Sequence, residues 1–273
     1  MNQPLASPSL WKPTIGADPS ERASAKLGAY EIKFLIEESM ADALLHLVQK
    51  EMQVDSHADP VSGGYLVEGI YFETSERDVF RRNPGYARRK FRIRRYSGGS
   101  TIFLERKSKR NGIVSKRRIA LDAAELPSTL LAVKSPDPSK ESNGNLNLDW
   151  FARRIARRGL DPTICIRYDR IAYMQMENSG PIRLTIDRNL ACTPFDGVQF
   201  PSKELYRPIL SGHCVAEFKF RDSMPTGFRK WMDDFKLVPQ SISKFRNAIS
   251  AAGLGVEENR MSPKDLPKGT ADA

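Results

Sequence analysis

The chain has 273 residues, 40% of them hydrophobic, enough to bury the core of one large domain or two small ones. Its formal charge is +10, and the excess sits between Arg77 and Arg118, where 16 lysines and arginines face two acids, Asp78 and Glu105. Three scattered cysteines without a CxxC pair argue against a disulfide framework or zinc site, and no signal-peptide pattern or bilayer-length apolar run is visible, so a cytoplasmic protein without a membrane span is expected.

Residues 1–27 and the tail 253–273 are polar and rich in proline and glycine, and are expected as a disordered arm and tail around one domain, 28–252. "AYEIKFLI" (29–36) alternates as a strand, and residues 37–52 then repeat apolar positions at helical spacing. "GGYLVEGIYFET" predicts a second strand and "SERDVFRRN" a short helix capped by Ser75. "KFRIRRY", "STIFLERKSK" and "SKRRIAL" are separated by Gly-containing hairpin signals and predict an antiparallel meander. Residues 134–147 read as a loop and "LDWFARRIARRGL" as a helix ended by Gly159, its "RRIARR" run a solvated face. Four more strands follow, "TICIRYDR", "IAYMQME", "PIRLTIDRNL" and "HCVAEFKFR", and then two helical segments, 226–236 and 240–253.

Phased by alternation, the charged residues fall onto single strand faces. Lys90, Arg92 and Arg94 lie opposite Phe91 and Ile93; Glu105, Lys107 and Lys109 opposite Leu104; Glu217 and Lys219 opposite Phe218. Ordinary half-buried strands with a polar face to water show the same alternation. Here the polar faces are almost all charged, acids recur two positions from a lysine, and the amphipathic helices need an apolar sheet surface to cover. The fold expected is therefore α+β: an antiparallel β-tunnel, a closed barrel with a charged lumen and helices packed outside.

"EIKF", "GIYFET", "KFRIRRY", "FLERKSK", "KRR", "YDRIAY", "IRLTIDRNL", "VAEFKF" and "SISKF" occur in an order that resembles the VTC domain, the polyphosphate polymerase module of the triphosphate tunnel metalloenzyme superfamily. The resemblance spans about residues 29–250 and implies an antiparallel tunnel. It implies that Lys33, Arg92, Arg94, Lys107, Arg183, Lys219 and Lys244 grip the triphosphate and the growing chain, and that Glu217 holds a divalent metal, Mn²⁺ or Mg²⁺, with Glu31 and Glu105 as helpers. Lys90, Lys109, Tyr168, Arg170 and Ser243 are further binding candidates, together with Arg117 or Arg118, between which the hairpin register decides. Two positions depart from the pattern: Ala29 stands where the superfamily has an acid, and Glu73 where aspartate is usual.

The implied activity is transfer of the γ-phosphate of ATP to polyphosphate, chemistry that asks for positioning and charge neutralisation. A metal-dependent triphosphatase would use the same residues. No Walker A loop or GxGxxG is present. A non-enzymatic polyanion or nucleic-acid binder, with Phe91, Tyr96 and Phe103 stacking on bases, is the alternative. It is disfavoured because acids beside phosphate contacts weaken binding unless a metal is present. The partners expected are ATP or another triphosphate and polyphosphate.

Overall fold

The computed structural model describes residues 29–110, 113–134, 146–178 and 180–255, with the side chains of residues 109, 110, 113, 146 and 147 left out. The elements in chain order are β1 (Tyr30–Glu37), α1 (Glu38–Glu51), β2 (Gln53–Val54), β3 (Gly64–Glu73), α2 (Asp78–Arg81), β4 (Arg89–Tyr96), β5 (Thr101–Arg110) and β6 (Ile113–Asp122). They continue with α3 (Leu126–Lys134), α4 (Leu146–Ala156), β7 (Asp161–Glu177), β8 (Gly180–Pro194), β9 (Arg207–Pro208), β10 (His213–Phe220), α5 (Thr226–Asp234) and α6 (Lys244–Ala251).

Eight strands pair in the order β1-β10-β8-β7-β3-β4-β5-β6, every ladder antiparallel, with β2 added to β7 and β9 to β8. The sheet curls until its end strands touch at one bridge, Ala29 with Val114. The expected closed barrel is thus corrected to a curled sheet with an open seam. The reason lies in the stagger. Continuing the antiparallel register from that bridge sets Tyr30 against Ile113, the first residue of β6, so the rest of β1 runs past the start of that strand. A side-chain contact spans the seam instead: Lys107 Nζ of β5 lies 2.9 Å from each Glu31 carboxylate oxygen of β1.

Alternation gives the sheet an apolar outer face, and the helices cover it in two patches. Ala41, Leu44 and Val48 of α1, with Phe228 and Trp231 of α5, pack on Phe34, Phe218, Leu184 and Ile186. Leu126, Leu130 and Val133 of α3 and Phe151 and Ile155 of α4 pack with Phe72, Phe91, Ile93, Ile102 and Leu104. Phe91 is therefore core, its ring 5.8 Å from Phe151, and cannot stack on a base.

Helix α6 breaks the expectation that helices lie outside. Phe245 stacks on Tyr71 at 5.8 Å, Lys244 Nζ is 2.6 Å from Asp187 Oδ2, and Cys192 Sγ donates to the Ala248 carbonyl. Those partners lie on the inner face, so α6 plugs one end of the tunnel. Its apolar side chains, Phe245, Ala248 and Ile249, cluster there with Ile164, Ile166, Cys192 and Val215. An interior lined by apolar residues at one end needs an apolar stopper, since α6 exposed to water would forfeit that burial.

Smaller corrections have local causes. The strands expected at 163–170 and 171–177 are one, β7, whose ladder with β8 shifts register between Arg167 and Asp169. Helix α3 was not expected, and it trims the loop read at 134–147; residues 135–145 lie outside the described residues, as do 1–28 and 256–273. Ser75 does not cap α2. The Glu73 carboxylate accepts from the backbone N–H groups of Thr74, Val79 and Phe80, and Thr74 Oγ1 accepts from Asp78. All three cysteines are buried, as small apolar residues are.

Candidate functional site

The cations of β4 are drawn together by a carboxylate on the neighbouring strand. Register pairs Arg92 with Glu105 of β5, and Glu105 with Arg118 of β6. Glu105 is fully buried; its Oε2 accepts from Arg92 Nε at 2.6 Å and its Oε1 from Arg118 Nε at 2.7 Å. Lys116 Nζ adds a contact at 3.3 Å and Arg94 Nε one at 3.8 Å. Burial alone raises a carboxylate's pKa, but Arg92, Arg94, Lys116 and Arg118 outweigh it and hold Glu105 well below the usual range. Tyrosine hydroxyls orient the guanidinium groups from behind. Arg92 donates to Tyr71, Arg94 to Tyr96 and Tyr168, and Arg118 to Tyr96.

A second cluster straddles β1 and β10. Lys33 and Glu217 are cross-strand partners, and the Lys33 ammonium touches both Glu217 and, at 2.9 Å, Glu31. Lys219 pairs with the other Glu217 oxygen. Burial and Glu217 push the Glu31 pKa up, yet Lys33, Lys219 and Lys107 bring it down to about 2. Burial opposes the Lys33 charge, but Glu217 and Glu31 win and raise its pKa above the ordinary lysine value.

Other lumen lysines are short of counter-charge. Burial, then Lys107, Lys33 and Arg92, lowers Lys90 to about 7. Burial also lowers Lys107 to about 8 despite Glu31, because Lys33 and Lys219 repel it. Lys116 falls to about 7, burial and Arg118 overriding Glu105. Tyr96 is lowered to about 7, since Arg94 and Arg118 favour its phenolate more than burial opposes it. An interior set this way accepts anions.

The remaining candidates divide. Arg170 is held by Asp187 through two bonds, 2.6 and 2.7 Å, and Asp187 also binds Lys244; both Arg170 and Asp187 are buried. Arg183 donates to Asp55 at 2.5 Å and to the Tyr65 hydroxyl at 2.9 Å. Ser243 caps α6 by accepting from Arg246 N–H, and its hydroxyl also accepts from Lys90 at 2.7 Å. At the end away from α6, a cavity of about 650 Å³ opens beside Gly64, Tyr65, Ser97, Gly98 and Arg170. Arg117 is a correction: it lies on the outer face, its guanidinium 3.7 Å from the Trp150 ring, while Arg118 points in. The Lys109 side chain lies outside the described residues.

Sequence reasoning missed Lys116, Asp55 and the tyrosines at 65, 71 and 96. Lys116 was legible, because it shares a face with Arg118 by alternation. Asp55 was not: it follows the two-residue strand β2 and reaches Arg183 across 128 positions of chain. Tyr96 was read as a base-stacking ring, but guanidinium groups of Arg94 and Arg118 lie over it, each 5.8 Å from its centroid, and Arg118 also lies over Phe103.

Among the described residues no three His, Cys, Asp or Glu side chains gather around one point. Glu31 and Glu217 do converge on a single cation, the Lys33 ammonium. Two hard oxygen donors at one position fit Mg²⁺ or Mn²⁺, which take few protein carboxylates and complete their shell with water and phosphate oxygens. Glu105, enclosed by three cations within 3.3 Å, is arranged to hold side chains rather than an ion.

The family model for the VTC domain matches residues 28–252. No curated protein matches the chain. Solved structures that resemble it include PH1819 from Pyrococcus horikoshii OT3, with 12% identity and a TM-score of 0.43, covering 81% of this chain and 99% of that one. Another is HpAC1 from Hippeastrum, described as revealing a dominant triphosphatase activity, with 16% identity, a TM-score of 0.44, and 82% and 96% covered. A Bacillus halodurans protein, bh2851, shares 15% identity with a TM-score of 0.44, covering 82% and 98%. Among the described residues, no helix is long and apolar enough to cross a membrane.

Proposed function

The chain belongs to the VTC domain family, and on that premise we propose that it is a metal-dependent phosphotransferase that moves the γ-phosphate of ATP onto a growing polyphosphate chain. One observation carries the reading. Arg92, Arg94 and Arg118 surround one buried carboxylate, Lys33, Lys107 and Lys219 surround two more, and all project from the inner face of one curled sheet. Cations outnumber carboxylates there, so a polyanion completes the charge balance.

Each group has a task in phosphoryl transfer, where the protein mainly positions and neutralises. Arg92, Arg94 and Arg118 present guanidinium forks that match paired phosphate oxygens, and Glu105 with the tyrosines keeps them aimed. Lys33, Lys107 and Lys219 sit on flexible stems as mobile charges able to follow a lengthening chain. Glu217 and Glu31 would hold the divalent ion, which offsets charge developing between donor and acceptor phosphates. The half-open lumen, plugged by α6 at one end, limits water around the transferred group.

Incubating the purified protein with ATP and Mn²⁺ or Mg²⁺, then resolving products by gel and free-phosphate assay, tests this. Long chains are expected. Release of phosphate alone assigns a triphosphatase, and absence of both products makes the lumen a binding module.

A further inference from the structure

Outside the lumen lies a second group of arginines. Arg106 of β5 and Arg117 of β6 are cross-strand partners on the outer face, with guanidinium carbons 5.2 and 3.7 Å from the Trp150 ring of α4. Arg154, Arg157 and Arg158, at the end of α4 and just beyond it, line a cavity of about 370 Å³ with Gly85 and Tyr86. None of these five arginines makes an ion pair among the described residues, whereas Glu31, Glu105, Asp187 and Glu217 in the lumen each make at least two. The Arg106 Nε is buried without a hydrogen-bond partner among the described residues, which is costly in a folded chain. Burial, then repulsion from neighbouring arginines, lowers the pKa of Arg106, Arg117 and Arg158, so the group is electrostatically coupled as well as adjacent.

We propose that this outer face, formed by β5, β6 and α4, is a second anion site that binds inorganic polyphosphate outside the tunnel. Guanidinium forks without acids recognise closely spaced phosphoryl groups. A ring face of Trp150 is taken by Arg117 and one of Tyr86 by Arg158, 5.4 Å away, which disfavours base stacking and membrane insertion. The choice of polyphosphate over other polyanions rests on the proposed function, whose product it is. A site here would hold the emerging chain near the enzyme and raise its local concentration.

The experiment uses the full chain and a fluorescently labelled polyphosphate in anisotropy titrations. An Arg92→Ala/Arg94→Ala protein, weakened in the lumen, is expected to keep substantial polyphosphate affinity. Adding Arg154→Glu/Arg157→Glu, both exposed residues whose side chains have no bonding partner among the described residues, is expected to weaken that affinity by at least about tenfold. Arg154→Gln/Arg157→Gln removes the charge without reversing it and is expected to follow in the same direction. On an otherwise unaltered chain, these outer changes leave affinity for a non-hydrolysable ATP analogue as it was. Polyphosphate binding undiminished in both outer variants overturns the proposal. So does displacement of polyphosphate by single-stranded RNA, or by phosphatidylserine vesicles, at a lower phosphate concentration than unlabelled polyphosphate needs. If ATP yields no polyphosphate yet the outer variants lose binding, the catalytic reading falls and the outer site stands.

Discussion

Glu217 and Lys33 face each other across the β1–β10 ladder, and the Glu217 carboxylate accepts the Lys33 ammonium while Lys219 binds its other oxygen. Removing the charge in Glu217→Gln leaves two ammonium groups close together with half their counter-charge. Metal-free binding of a non-hydrolysable ATP analogue is expected to hold or tighten, because the free cations turn to phosphate. Metal-dependent turnover is expected to collapse. Calorimetric titration with and without Mn²⁺, alongside a product assay, separates the two effects; full metal-dependent activity in this variant refutes the role given to Glu217.

Glu105→Gln strips the shared partner from Arg92 and Arg118. Breaking a buried ion pair from one side typically costs about 3–5 kcal/mol, a melting-temperature drop of roughly 6–20 °C for a domain of this size. Triphosphate is expected to restore more stability to the variant than to the parent, since phosphate supplies the missing counter-charge. Thermal melts with and without triphosphate decide this, and equal ligand shifts in both proteins count against it.

Lys90, Lys107 and Lys116 have folded pKa values lowered to about 7, 8 and 7, and that of Tyr96 is lowered to about 7. Above pH 7 the unfolded chain therefore binds more protons at these sites than the folded one, so ligand-free stability rises with pH from about 7 to 10. Triphosphate affinity runs the other way, weakening over the same range as ammonium groups discharge and the phenolate forms. Bound triphosphate favours the charged lysines and flattens the stability slope. Melting temperatures at pH 6, 7, 8 and 9, with and without ligand, check both signs; Lys90→Met reduces the slope.

Arg118 and Arg117 are adjacent in sequence and opposite in facing. Arg118→Ala loses charge-assisted hydrogen bonds worth roughly 1.5–3 kcal/mol each, and ATP-analogue affinity is expected to fall by tenfold or more. Arg117→Ala, which gives up a contact over Trp150 on the outer face, leaves that affinity unchanged. Calorimetry on the two variants distinguishes them, and equal losses place the register of β6 in error.

Alternation in the sequence already separated Lys90, Arg92 and Arg94 from Phe91 and Ile93, because a strand's side chains have period two whatever surrounds it. It likewise put Glu217 with Lys219. The order of short motifs along the chain carried the family. Alternation states only which residues share a face; which face turns inward, and what each charge meets there, depends on pairing partners far away in sequence. Register chose Arg118 over Arg117, brought Glu105 under Arg92, and carried Lys107 across the seam to Glu31. The placing of α6 was equally beyond the pattern. Its amphipathic spacing suits either side of a sheet, and only the curled strands supply an apolar inner end for Phe245 and Ile249 to fill. Closure failed for the same reason. It depends on the stagger between β1 and β6, a distance around the whole sheet that no local stretch of sequence encodes.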